Sequence, residues 1–229
     1  MSMSYDAVLF DLDGTLVDSI HDIAQAANRT LTDLGFAALA PDLITTFVGR
    51  GVDALIWQCL LECIDEPAPQ PELYQRARTL FARHYDECVQ KGQTPVFDLV
   101  TEGLQAFKQA GYLMAVVTNK PLSYTHIILR QTGLADYFDL VVGGDSCEEK
   151  KPHPLPLQFA CAQLEVSPDR ALMIGDSIND VAAANEAGID VLVLPYGYSP
   201  GQPVDELAAQ AVVADLVAAH AWAQHDPGL

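Results

Sequence analysis

Short, unbroken apolar runs punctuate this chain. They lie at Ala7 to Phe10, Tyr112 to Val117, Leu140 to Val142, Ala171 to Ile174 and Val191 to Leu194, with a weaker sixth at Ala211 to Val213. Each reads as a buried strand. Between them, amphipathic stretches predict helices over Leu99 to Ala110, Leu122 to Thr132, Leu155 to Leu164 and Ile178 to Ala187. Short buried strands alternating with helices of this length predict an α/β fold, a Rossmann-like parallel sheet flanked by helices on both faces.

Residues from Val17 to Gln90 break the rhythm and read as helix only, over Ile20 to Leu34, Pro41 to Phe47, Val52 to Ile64 and Pro71 to Val89. Ser19 with Asp22 resembles a capping-box start for the first, and Gly35 fits its end. The breaker-rich stretch Lys91 to Pro95 reads as a linker. The pattern therefore predicts a discontinuous α/β core, residues 1–16 and 93–229, with a small α-helical domain and its linkers, residues 17–92, inserted after the first strand. Asp205 to Ala223 reads as helix, short strand and helix, and the tail from His225 to Leu229 as frayed.

Composition narrows the function classes. Half of the 229 residues are apolar and 19% are charged, as in a globular protein. Twelve Lys and Arg against 31 Asp and Glu give a formal net charge of −19. Nucleic acid and acidic membrane surfaces demand clustered cations, so neither is an expected partner. No apolar run reaches the ~18 residues of a membrane span, and Met1 to Asp6 does not read as a secretory signal. An odd count of five cysteines (Cys59, Cys63, Cys88, Cys147 and Cys161) fits reduced thiols in a cytoplasm. Cys59 and Cys63, one helical turn apart, read as packing residues.

The chemistry concentrates at strand ends. Asp11-Leu12-Asp13-Gly14-Thr15 follows the first strand directly, and ligands of parallel sheets bind beyond the strands' carboxyl ends. Asp11 and Asp13, at i and i+2, face one side of an extended segment and repel each other unless a cation intervenes or one is protonated. Gly14 permits a sharp turn; Asp-Gly is also a common pair in plain solvated turns. The second strand ends in Thr118-Asn119, which would put a hydroxyl and a free backbone N–H at the same edge. The fourth ends in Gly175-Asp176-Ser177-Ile178-Asn179-Asp180. Helix capping alone accounts for either Asp176 or Asp180, but not for four aspartates at the ends of two strands. Such oxygen ligands suit Mg²⁺, which uses one or two carboxylates plus a substrate phosphate. Lys151, after the third strand, is the natural cation for a phosphate, although Lys150 stands beside it. His84, His126 and His153 read as ordinary structural or loop residues.

The stretch Asp11 to Ser19, together with Thr118, Lys151-Pro152 and Gly175-Asp176-Ser177…Asp180, resembles the four motifs of the haloacid dehalogenase-like phosphohydrolases in order, spacing and strand-end placement. The likeness spans essentially the whole chain, and the helical insertion resembles the family's small cap. Val48-Gly49-Arg50-Gly51 and Gly143-Gly144-Asp145 to Pro154 resemble the bacterial members that hydrolyse 2-phosphoglycolate. Tyr198-Ser199-Pro200-Gly201 departs from the usual acidic or neutral stretch there.

The resemblance implies a Mg²⁺-dependent hydrolase of small phosphorylated metabolites, cytoplasmic, and a monomer or homodimer. Asp11 would be the nucleophile, forming an aspartyl-phosphate, and Asp13 the general acid and base. Lys151 would pair with Asp11 and phosphate. Thr118, Asn119 and Gly14 would hold phosphate oxygens. Asp11, the Asp13 carbonyl, Asp176 and Asp180 would form the metal site. A charge count over phosphate, Mg²⁺, Lys151 and these aspartates is already negative, which favours a proton on Asp13 before attack. Arg50, between two glycines in a predicted helix–helix turn, is the candidate for a substrate carboxylate, or a solvated loop arginine. Phe47, Trp57 and Tyr85 read as cap core. Sugar phosphates, pyrophosphate and phosphoglucomutase-like transfer are alternative reactions, and a non-catalytic binding module is the alternative of another class. The presence of Asp13 argues against carbon–halogen hydrolysis, and the lack of any Lys in residues 17–90 argues against phosphonate hydrolysis.

Overall fold

The computed structural model describes residues 5–92, 94–198 and 207–224. The strands are β1 (Ala7–Phe10), β2 (Leu113–Val117), β3 (Leu140–Val142), β4 (Ala171–Gly175), β5 (Asp190–Val193) and β6 (Ala211–Val212). They form one sheet in the order β3-β2-β1-β4-β5-β6, and every pairing is parallel. Four helices, α1 (Ile20–Asp33), α2 (Pro41–Thr45), α3 (Val52–Leu61) and α4 (Pro71–Gln90), separate β1 from the rest. Then come α5 (Val100–Ala110), α6 (Leu122–Gln131), α7 (Leu155–Gln163), α8 (Ile178–Ala187) and α9 (Leu216–Ala223). Two expectations are corrected. The third helix of the insertion stops at Leu61, three residues early. Residues 207–210 form no helix before β6, while the start of that expected helix and the tail 225–229 lie outside the described residues.

Alternation along the strands assigns the two faces. Leu9, Ala115, Val117, Met173, Val191 and Val193 pack against residues of α7 and α8. Val8, Phe10, Met114, Val116, Leu172 and Ile174 pack against α5 and α9 on the other face. There Phe10 meets Phe107 edge to face at 5.7 Å. Sheets covered on both sides need strands apolar on both sides, which is why unbroken runs mark them in the sequence.

In the insertion, α1 packs against α4 through small and branched residues, Ala26, Ala27 and Leu31 facing Ala77 and Phe81. One apolar cluster runs without a break from Phe10 and Leu12 through Leu16 to Ile23, Leu55 and Tyr85, so the insertion is closed down onto the sheet edge. All five cysteines are free. No helix among the described residues is long and apolar enough to cross a membrane.

Candidate active site

The site stands where crossovers from the central strand leave in opposite directions, β2 on one side of β1 and β4 on the other. In open parallel sheets that point leaves a crevice at the strands' carboxyl ends. The Asp11 amide donates to Ile174 O at 3.0 Å, extending the β1–β4 ladder by one residue and fixing Asp11 in the crevice. The chain then turns sharply, with the Leu16 amide on Leu12 O and the Gly14 amide on Val17 O. Gly14 has φ +86°, and a Cβ there would collide with the Asp176 carboxylate. Its N–H is thus used within the turn. Gly14 makes room for Asp176, which replaces the expected phosphate contact.

Carboxylate oxygens of Asp11, Asp176 and Asp180 lie within 4.8 Å of one another, and all three residues are buried. Lys151 Nζ sits among them, 2.6 Å from Asp180 Oδ1 and 3.1 Å from Asp11 Oδ1, and donates to Val117 O. Lys150, the neighbour that the sequence could not tell apart, is partly exposed, 3.9 Å from Asp53. Asp180 also closes a capping box: its Oδ2 accepts from the Ser177 amide and hydroxyl, while the Ser177 side chain accepts from the Asp180 amide. The helix-capping and charge-site readings of Asp180 therefore hold together. Asp176 accepts from the Thr15 hydroxyl at 3.0 Å and the Tyr198 amide at 2.6 Å.

Burial drives the Asp11 carboxyl up to about 6 against the pull of Lys151, with Asp180 and Asp13 adding to the rise. Asp176 is raised well above the usual range by burial and by the charges of Asp180 and Asp11. For Lys151, burial works to lower the ammonium, but Asp11 and Asp180 more than offset it. One lysine thus leaves a buried trio of acids short of positive charge. A hard divalent cation with oxygen ligands fits that deficit.

Asp13 points elsewhere. Its Oδ1 accepts from the Ser19 hydroxyl at 2.5 Å. Lys120 Nζ lies 2.9 Å from Oδ1 and 2.7 Å from Oδ2. Ser19 is consequently not a side-chain cap for α1, and Asp22 instead accepts from the Thr94 hydroxyl. The expected Ser19–Asp22 capping box is absent because the Asp13 carboxylate claims the serine. Lys120 also changes the charge count. That charge stood outside the earlier count, and it holds both oxygens of the Asp13 carboxylate.

Thr118 is buried and faces the crevice, but its N–H donates to Val142 O and is not free. Both amide hydrogens of Asn119 are committed, to Gly49 O at 2.8 Å and Lys151 O at 2.7 Å, and its oxygen accepts from the Lys151 amide. That side chain ties insertion to sheet, a different role from the expected phosphate contact. A cavity of about 50 Å³ separates Asp11 and Asp13 from the insertion, whose wall there includes Ile23, Val48, Leu55 and Tyr85. Arg50 does not line it. Gly49 and Gly51, both at positive φ, face this cavity. Arg50 between them is exposed and lines a second cavity with Ser177 and Tyr198. Trp57 is partly exposed, edge-on to Tyr74. His153 accepts from the Leu155 amide within its loop. His84 is buried against Asp33.

Sequence reasoning missed Lys120, Thr15, Ser19 as an Asp13 partner, and Tyr198, whose hydroxyl donates to Asp18. Lys120 carried a usable signal, standing two residues past Thr118 at a strand end that already bore chemistry. Tyr198 carried none, and residues 199–201 beside it lie outside the described residues.

An open parallel sheet with strand-end acids, a buried lysine and a helical insertion over the crevice defines a Rossmann-like α/β protein with a capped acidic site. Residues 8–194 match the haloacid dehalogenase-like hydrolase family, and the chain belongs to it. It is 44% identical to the phosphoglycolate phosphatase of Thiobacillus denitrificans, over 93% of each chain. It is 42% identical to that of Nitrosospira multiformis, over 92% of each. The crystal structure of a predicted phosphoglycolate phosphatase from Haemophilus somnus 129PT superposes with a TM-score of 0.89 at 32% identity, covering 95% of this chain and 97% of that one.

Proposed function

We propose that this enzyme is a Mg²⁺-dependent phosphomonoester hydrolase that acts through a phosphoryl–Asp11 intermediate, with 2-phosphoglycolate as substrate. The observation that carries the reaction is the arrangement of Asp11 against Lys151, with Asp13 on a separate cation, Lys120. The relatives named phosphoglycolate phosphatase support the substrate.

Asp11, Asp176 and Asp180 would hold the metal, whose charge would offset the phosphate dianion and the buried acids. Asp11 Oδ attacks phosphorus, and the P–O bond to the alcohol breaks with its electron pair leaving on oxygen. Asp13 gives that oxygen a proton. Asp13 then takes a proton from water as the water attacks phosphorus, releasing phosphate and restoring Asp11. Splitting the displacement into two in-line steps lowers each barrier. Lys151 screens Asp11 from Asp180 and stabilises charge on the transferring group. Thr118 stands at the crevice to receive a phosphoryl oxygen. The closed insertion keeps bulk water away.

The test is phosphate release with Mg²⁺ across 2-phosphoglycolate, sugar phosphates, pyrophosphate and a nitrophenyl ester. The expected kcat/KM for 2-phosphoglycolate exceeds the others by at least ~100-fold. A different preferred ester would replace the substrate and keep the chemistry. No release from any of them would sink both.

A further inference from the structure

Tyr85, on α4, is 2% exposed. Its hydroxyl makes no well-formed hydrogen bond, and the polar group that acts on it is the Lys120 ammonium. That contact gives the phenol no acceptor, and a buried hydroxyl without one costs roughly 1–3 kcal/mol, so an acceptor entering the cavity beside it is stabilised. The ring is rigidly placed. It stacks on Phe81 at 5.5 Å and 10°, and meets Tyr124 edge to face at 5.0 Å. Tyr124 is itself held by a hydrogen bond to Asp86 at 2.7 Å.

Tyr85 lines the same cavity as Asp11, Asp13 and Thr118. Lys120, the one cation among the described residues lining that cavity, stands over the Tyr85 ring with Nζ 5.1 Å from its centroid. The other side chains on the wall of the insertion are apolar, from Ile23, Val48, Val52, Leu55 and Phe81, and Gly49 and Gly51 present only backbone there. Among the described residues, a phosphomonoester seated with phosphorus at Asp11 therefore meets one polar side chain of the insertion, Tyr85, with Lys120 of the sheet domain beside it. Burial pushes the phenol up to about 12 against the pull of the Lys120 charge, so it is a donor at neutral pH. A donor beside an ammonium in an apolar wall selects an anionic acceptor.

We propose that the Tyr85 hydroxyl, with Lys120 beside it, binds the carboxylate of the substrate and sets a preference for small, carboxylate-bearing phosphomonoesters. This rests on the 2-phosphoglycolate reading above. It assigns the carboxylate to the buried Tyr85–Lys120 pair rather than to the exposed Arg50.

The experiment compares 2-phosphoglycolate with ethyl phosphate, its analogue without the carboxylate, in the wild type and in Tyr85→Phe. The phenylalanine keeps the ring and its stacking, and thermal melting checks that the variant folds. The expected result is a wild-type kcat/KM ratio strongly favouring 2-phosphoglycolate, and a fall of at least ~10-fold in that ratio in the variant, carried mainly by KM. A large wild-type ratio that stays within about twofold in Tyr85→Phe overturns the Tyr85 assignment alone, including when both rates drop together. A wild-type ratio near one overturns the 2-phosphoglycolate reading and this assignment with it.

Discussion

Lys120 Nζ lies within 3 Å of both Asp13 carboxylate oxygens and supplies a positive charge beside a trio of buried aspartates. The Asp13 carboxylate, the proposed acid and base, is thus fixed in place by an ammonium and by the Ser19 hydroxyl. Lys120→Met removes the charge and frees Asp13 to reorient. It should lower kcat by ~10- to 100-fold, the lower part of what a positioned acid–base group contributes, with Lys120→Arg restoring part of the loss. Steady-state kinetics of the two variants check this. A kcat within twofold of wild type in Lys120→Met would mean that Asp13 does not depend on the pair. Gly14→Ala makes a separate prediction. A Cβ at φ +86° is strained and would strike Asp176, so activity should fall by ~100-fold or more and Mg²⁺ affinity should fall with it. Isothermal titration with Mg²⁺ reads the second effect independently of turnover.

Elements carry these residues into register, and their contacts make their own predictions. Gly103 on α5 lies against Leu216 on α9, so that a Cβ would collide with the leucine's backbone and side chain. Gly103→Ala should therefore destabilise the fold by about 1–3 kcal/mol, as overpacking does, while leaving kcat per folded molecule unchanged. Urea unfolding followed by kinetics on the native fraction tests it. The inner strands β1, β2, β4 and β5 were legible because burial on both faces writes them as unbroken apolar runs. The edge strand β6 gave only a weak signal because its two residues are half-buried or exposed, and α8 was legible because its spacing and its capping residues agree. The start of α1 was read at the right residue, but the capping box expected there is absent. Ser19 carries a capping signal, but a tertiary partner, Asp13, outbids the local backbone for its hydroxyl. Arg50 stayed open between a substrate contact and a solvated loop arginine because a Gly-Arg-Gly turn shows where the chain bends and not which way its middle side chain faces. Lys120 was passed over although it stands two residues past Thr118, because its partner Asp13 lies 107 residues away in the chain. Tyr85 was read as cap core, and it is buried there, but its place on the cavity wall depends on the closing of α4 onto the sheet edge.

At the scale of the whole molecule, the buried acids of the site tie stability to pH and to the proposed metal. In the metal-free protein Asp11 is raised from the ordinary 3.8 to about 6, and Asp176 moves in the same direction. The folded state then holds these protons more tightly than the unfolded chain. Their stabilising contribution is complete below about pH 4 and is lost as pH rises through about 6. A cation that binds the deprotonated acids stabilises more over the same window. Saturating Mg²⁺ should accordingly raise the Tm by clearly more at about pH 7.5 than at about pH 5, and thermal melts in paired buffers measure it. The central claim is that Asp11 carries the phosphoryl group, and it is open to a direct measurement: acid quenching during turnover, followed by peptide mapping of the protein by mass. The account predicts one phosphoryl group on the peptide containing Asp11, absent in Asp11→Asn. Release of phosphate with no such adduct, or an adduct on another residue, would contradict it.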